Sequence, residues 1–165
     1  MSHFVVYFDM DGVLAYFDKR WIELYGESPA ETRQVKRFSS KWENFILSNQ
    51  FETLDFFPGA HELYDFVKQS DRVLDIQILS SSGGSQFYDE VKRQKNYWLR
   101  RSNMSFSEVN IVPGRRLKKN YAAANAILID DTPDVIEGFN EHGGIGILHK
   151  DIKETIPILK EIFSK

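Results

Sequence analysis

Three polar clusters, each closing a short apolar run, carry the chemistry in this sequence. Asp9-Met10-Asp11-Gly12 follows the run Phe4–Phe8, Ser80-Ser81 follows residues 74–79, and Asp130-Asp131 follows residues 126–129. Residues two apart in an extended segment point the same way, so Asp9 and Asp11 can turn both carboxylates into one pocket. Gly12 allows a tight turn and brings backbone amides close to an anion. A basic stretch with Lys118 and Lys119 precedes the third run. Carboxylates, hydroxyls and an ammonium gathered at one edge suit a hard cation holding a phosphate. Magnesium takes oxygen ligands and keeps some water, so a few carboxylates suffice and neither nitrogen nor sulfur is required.

Each cluster has a plainer reading when taken alone. Asp-x-Asp-Gly is common in loops. Ser80 and Ser81 can cap a helix that starts before Gln86 and Phe87. Asp130 and Asp131, followed by Thr132 and Pro133, resemble a helix start favoured by the dipole. Two adjacent carboxylates exceed what a helix start needs, and three polar strand ends in one chain favour a shared site.

Strands that end together are needed to gather these groups. Phe4–Phe8 and residues 74–79 and 126–129 read as strands, the first as one buried on both faces, with weaker candidates at 109–112 and Ile145–Leu148. Helical spacing marks 60–69, 85–100, 133–140 and 151–163, where Pro157 is expected to delay or kink the last helix. Strands alternating with helices predict an α/β fold: a Rossmann-like parallel sheet with helices on both faces. Ligands then bind outside the carboxyl ends of the strands. Residues 16–57 break the alternation. They read as a small helical cap inserted after the first strand, with helix-like stretches at 19–25 and 32–47. Its aromatics Phe17, Trp21, Tyr25, Phe38, Trp42 and Phe45 form a small core of the cap, and Phe17, Trp21 and Trp42 are the candidates for contact with substrate.

Composition narrows the function classes. The 165 residues suit a single domain, 1–165, carrying that insertion. With 42% hydrophobic and 27% charged residues the chain is globular rather than disordered. A net charge of −3 provides no global field for nucleic acid, so no stable nucleic-acid binding is expected. The short clusters Lys92, Arg93, Lys95 and Arg115, Arg116, Lys118, Lys119 read as solvated faces, apart from the one lysine a phosphate site would claim. The absence of cysteine excludes disulfides and thiolate metal sites. No apolar run approaches the roughly 20 residues that span a bilayer, and the first seven residues lack a signal-peptide pattern, so the expected location is cytoplasmic. His3, His61, His142 and His149 form no metal-spaced pair and read as surface or partly buried residues.

The ordered set of motifs resembles the haloacid dehalogenase-like superfamily of phosphohydrolases. Phe8-Asp9-Met10-Asp11-Gly12-Val13-Leu14 looks like its first motif, Ile78-Leu79-Ser80 its second, and Ile127-Leu128-Ile129-Asp130-Asp131 its acidic fourth. Lys118 or Lys119 is the third-motif lysine, and the Lys-x-x-Tyr-Ala pattern favours Lys118. A nearer resemblance is to the 5′(3′)-deoxyribonucleotidase family and its phage and bacterial relatives. It rests on residues 9–15, 56–60, 128–133 and 143–148.

The resemblance implies roles. Asp9 is the expected nucleophile, forming an aspartyl phosphate, and Asp11 the acid–base group. Asp9, Asp131 and the main-chain carbonyl of Asp11 are expected to hold Mg²⁺, with Asp130 orienting a metal-bound water. Ser80, Ser81 and the backbone amides near Met10 and Gly12 are expected to bind phosphate, with the lysine neutralising charge. The implied function is a magnesium-dependent phosphomonoesterase for nucleoside monophosphates, most of all deoxyribonucleotides. Alternatives are a phosphatase for another small phosphomonoester or a nucleic-acid end, and a non-catalytic phosphate-binding module. The last would be marked by loss of Asp9 or Asp11, and both are present.

Overall fold

The computed structural model describes residues 2–165. Strands β1 (Phe4–Phe8), β2 (Val73–Ser81), β3 (Glu108–Val112), β4 (Ala126–Asp130) and β5 (Ile145–Leu148) form one parallel sheet in the order β3-β2-β1-β4-β5. Alternation along the strands divides the core into two layers. Phe4, Val6 and Phe8 of β1 and Ile127 and Ile129 of β4 enter the larger one, while Leu79, Val112, Ala126 and Leu128 enter the smaller. A one-residue slip of β4 would exchange these sets, so burial at about 1.5–3 kcal/mol per large aliphatic side chain holds the register.

Helices α4 (Ala60–Lys68), α5 (Tyr88–Arg100) and α7 (Ile152–Ser164) supply Leu63, Val67, Val91, Trp98 and Leu159 to the larger layer. Helix α6 (Pro133–Glu141) covers the other face with Val135, Ile136 and Phe139, beside a 3-10 segment at Arg115–Tyr121. The strand and helix expectations hold with end shifts of at most three residues, and those for Phe4–Phe8 and Ile145–Leu148 hold without any. β1 alternates between buried and half-buried positions, whereas β4 is the strand buried at every position, so burial on both faces belongs to β4. Helix α7 runs through Pro157, which lies inside it. His149 is fully buried, with Nδ1 2.6 Å from Thr155 Oγ1.

Between β1 and α4 lie α1 (Phe17–Tyr25), α2 (Pro29–Gln34), α3 (Phe38–Leu47) and a 3-10 turn at Gln50–Thr53. The single stretch expected at 32–47 is two helices. A capping box of Ser28 and Glu31 starts the first at Pro29, and Lys36, at φ 57°, breaks the chain before the second. The aromatics do not form a separate small core. Phe17, Trp21, Phe45 and Phe51 belong to the same buried cluster as Phe8 and Val91. Helix α5 fastens the segment to the sheet: Gln94 accepts the Phe51 amide and donates to the Ile46 carbonyl, and the Trp98 indole donates to the Leu54 carbonyl.

Candidate active site

In the order β3-β2-β1-β4-β5 the chain reverses its direction of winding between β1 and β4, and the crevice outside such a reversal is where open α/β sheets take ligands. Asp9 lies just past β1, its amide donating to the Ile129 carbonyl at 3.0 Å. Asp130 ends β4 and Asp131 follows it. Ser80 and Ser81 lie within β2, whose ladder with β3 continues to Ser81. Each strand therefore delivers its polar groups to the same end of the sheet.

At the floor, Lys118 is buried and its Nζ lies 2.7 Å from Asp130 Oδ2 and 3.2 Å from Asp9 Oδ1. Burial works against its charge, but Asp9 and Asp130 outweigh it and hold the ammonium above the ordinary lysine value. The Met10 amide also donates to Asp9 Oδ1, at 2.8 Å. Asp130 is completely buried and accepts the Thr132 amide at 3.0 Å. Burial, reinforced by Asp9 and opposed by Lys118, pushes it up to about 6.

Asp131 opens to the cleft, and its Oδ1 accepts the Thr132 hydroxyl at 3.1 Å. Burial of its carboxylate together with the charges of Asp9, Asp130 and Asp11 pushes it up to about 8. A Cβ at Gly12, where φ is 81°, would stand 1.9 Å from Asp131 Oδ2. Glycine thus serves both the turn and the close approach of this carboxylate. Asp9, Asp130 and Asp131 each bring one oxygen within 4.8 Å of the others. Three crowded carboxylates, with those of Asp130 and Asp131 raised in pKa, form a purely oxygen donor set that fits a hard divalent cation.

Asp11 is held from a different direction. Its Oδ2 accepts from Lys95 Nζ at 3.1 Å, while its buried Oδ1 has no partner among the described residues. Burial raises its pKa, with Lys95 opposing and Asp9 adding to the shift. Lys95 Nζ also donates to Ser80 Oγ at 2.7 Å and to the Ser81 carbonyl at 2.9 Å.

Above the floor is a cleft of about 620 Å³. Its walls include Asp9, Asp11, Ser80, Ser81, Lys118 and Asp131 from the sheet side and Phe17, Arg33, Phe38 and Trp42 from the inserted segment. Trp42 also presses on the Gly83 turn, where a Cβ would meet its ring at 2.6 Å. The Arg33 guanidinium stacks on Phe38 at 4.2 Å, and Arg115 enters from the opposite wall.

Most of the expected residues meet here, with several corrections. Trp21 does not line the cleft. It is fully buried, and its indole N–H donates to Thr32 Oγ1, the partner a buried tryptophan needs. Lys119 lies instead along a neighbouring groove with Arg115, Arg116 and Asp134, whereas Lys118 reaches the carboxylates of Asp9 and Asp130. The Met10 amide is taken by Asp9 and the Gly12 amide donates to the Ala15 carbonyl at 3.0 Å, so neither is a free phosphate donor. The helix-cap reading of Ser80 and Ser81 fails, because α5 starts at Tyr88 with Phe87 at its N-cap, whereas α6 does start at Pro133 with Thr132 in the N-cap position, though without a capping side-chain bond.

Lys95, read as part of a solvated face, is 1% exposed. The signal was present in the helix: Val91, Lys95 and Trp98 share a face at spacings of four and three, and a lysine on an apolar face needs partners. Arg33 and Arg115 carried no comparable signal, because only the packing of the inserted segment over the sheet brings them to one cleft.

A parallel sheet of this order, with an Asp-x-Asp-Gly turn after its first strand, a buried lysine and a paired acidic end on the strand beside it, defines the haloacid dehalogenase-like class of hydrolases. Solved structures share the fold. A hydrolase from Streptococcus pneumoniae TIGR4 is 17% identical, with a TM-score of 0.55 over 97% of this chain and 100% of its own. A phosphonoacetaldehyde hydrolase like protein from Oleispira antarctica is 12% identical, with a TM-score of 0.56 over 88% of this chain and 72% of its own. No curated protein matches the sequence. Residues 3–155 match the family model described as 5′ nucleotidase, deoxy (Pyrimidine), cytosolic type C protein, and the chain belongs to that family of haloacid dehalogenase-like phosphatases.

Proposed function

We propose that this chain is a magnesium-dependent phosphomonoesterase that hydrolyses nucleoside monophosphates, with deoxyribonucleotides as its main substrates, through a phosphoryl group carried on Asp9. The observation that carries this reading is the stacking of two environments in one cleft. Asp9 lies 3.2 Å from a buried lysine at the floor, and the rings of Phe17, Phe38 and Trp42 line the walls above. A phosphate is a dianion that needs the first, and a nucleobase offers a π-face that suits the second.

Met10 and Lys118 occupy Oδ1 of Asp9, leaving Oδ2 to attack phosphorus. Asp11 protonates the leaving ester oxygen from Oδ1, its oxygen without a partner, and its raised pKa suits a proton donor. It then takes a proton from the water that releases phosphate from Asp9. Ser80 and Ser81 donate to the phosphate oxygens, and Lys118 balances the charge at Asp9. Asp9, Asp131 and the Asp11 carbonyl would hold Mg²⁺, with Asp130 bonded to Lys118 beside them. When bound, the cation neutralises developing negative charge on the transferring group. Residues 16–57 act as the cap that selects the leaving group, within a single domain of cytoplasmic location.

Basic residues favour a second reading. A groove of about 280 Å³ lined by Arg115, Arg116 and Lys119 adjoins the cleft through Arg115 and offers cations to a further phosphate, as on a nucleic-acid end. One panel separates the readings: deoxynucleoside 5′-monophosphates, ribonucleotides, sugar phosphates and a 5′-phosphorylated oligonucleotide, each with and without magnesium. Highest kcat/KM on the deoxynucleotides, lost on chelation, is expected. A clear preference for the oligonucleotide or a sugar phosphate would remove the nucleotidase reading, and full activity after chelation would remove the metal.

A further inference from the structure

Lys95 has no part in the chemistry described above, yet it is among the most completely buried side chains in the molecule. We infer that Lys95 is a positioning residue that turns the Ser80 hydroxyl into a phosphate donor and anchors Asp11 beside it; this rests on the phosphatase reading. An ammonium has three N–H donors and no acceptor. The three acceptors around Lys95 are Asp11 Oδ2 at 3.1 Å, Ser80 Oγ at 2.7 Å and the Ser81 carbonyl at 2.9 Å. Its donors are therefore used up, and it lies behind the cleft wall, so it has none to offer a substrate.

Its effect passes through its neighbours. A serine hydroxyl has one hydrogen and two lone pairs, and Lys95 occupies a lone pair of Ser80 from behind. The hydroxyl hydrogen is then left for an acceptor on the other side, where Ser80 lines the cleft. The bond to Asp11 likewise fixes Oδ2 and leaves Oδ1 for the proton. Helix α5 is the support: Gln94 and Trp98, one and three residues from Lys95, tie it to the inserted segment through Phe51, Ile46 and Leu54. The Lys95 ammonium also sits 5.2 Å from the Phe51 ring, so the lysine joins the sheet end to the segment that walls the cleft.

A double-mutant cycle tests this with inorganic phosphate as the probe, because phosphate binding needs the Ser80 donor but no proton transfer. Ser80→Ala and Lys95→Met should each raise the inhibition constant for phosphate by about tenfold, the scale of one hydrogen bond to a charged group. If the lysine acts through the serine, adding Lys95→Met to Ser80→Ala should change it by about twofold at most. Losses that multiply would overturn the assignment. Lys95→Met should also lower kcat more than Ser80→Ala does, because Asp11 loses its anchor as well. Equal kcat values in the two variants would remove the Asp11 part.

Folding is checked by circular dichroism, and the cycle is repeated with Lys95→Gln, which keeps a neutral donor. If neither lysine variant folds, Lys95 is a structural residue and the inference fails. A wild-type protein that neither hydrolyses phosphomonoesters nor binds phosphate would instead show that the phosphatase reading itself is wrong.

Discussion

The floor and the walls of the cleft are built on different principles. At the floor, polar groups hold one another: Lys118 is shared between Asp9 and Asp130, and Lys95 between Asp11 and Ser80, all at 3.2 Å or less. The inserted segment instead holds itself by ring packing, such as Phe17 on Phe45 at 5.0 Å and Trp21 on Phe38 at 5.0 Å, and only the outer members of that cluster reach the cleft. Buried charges tolerate no substitution that leaves a partner bare, whereas an aromatic wall can change residue and keep its shape. In the proposed function, the floor would determine which bond is broken and the walls what is attached to it.

Substitutions at the floor should have the largest effects. Asp9→Asn should abolish turnover, a loss of more than about 10³-fold, because an amide cannot form the acyl phosphate. Trapping of phosphate followed by mass spectrometry should place the label on Asp9, and a label on a serine or histidine would replace the mechanism. Lys118→Ala should cost about 10²-fold or more in kcat, since it uncovers Asp9 and Asp130 together. Lys119→Ala, in the neighbouring groove, should stay near wild type, and the reverse ranking would move the site lysine by one position.

The walls should respond more mildly and in a different parameter. Trp42→Ala should raise KM for a deoxynucleotide by about tenfold and change an aryl phosphate less, since one base–aromatic stack is worth about 1–3 kcal/mol. Trp21→Ala should instead destabilise the chain by about 3–5 kcal/mol, because it empties a buried site behind the wall. Kinetics and urea unfolding of the two variants separate these effects, and equal KM changes would erase the distinction between wall and core.

The smallest effect concerns stability and pH. With no divalent cation, burial and the neighbouring carboxylates push Asp130 up to about 6 and Asp131 up to about 8 in the folded chain, against roughly 3.9 unfolded. The folded chain then binds more protons than the unfolded chain between those limits, so stability falls as pH rises through that window. The midpoint of thermal unfolding should be lower at pH 8 than at pH 5.5 by at least about 2 °C, the order expected for a loss of about 1 kcal/mol. Magnesium at pH 8 should reverse the loss. An identical midpoint at both pH values would mean that the carboxylates are not in conflict.

The sequence by itself determined the alternation of strands and helices and the three polar strand ends. Both are local properties: apolar runs bounded by Asp or Ser mark strand ends, and Asp9-Met10-Asp11-Gly12 requires only the geometry of one turn. The site lysine could be narrowed to two neighbours, but choosing Lys118 needed the 3-10 segment Arg115–Tyr121, which buries that residue and sends Lys119 outward.

Tertiary structure alone decided three further matters. Trp21 and Trp42 look alike as cap aromatics, and only the packing of α1 against α2 and α3 made one of them core and the other wall. The segment's rings pack among themselves as expected, and they also merge with the main core, because α5 ties the segment to the sheet. Lys95 is read from composition as one cation in a charged cluster. Its chemistry appears when a helix face meets a strand end 14 to 15 residues earlier and a turn 84 residues earlier. Pattern reports which face a residue occupies; the acceptors that make a buried charge possible come from elements distant in the chain.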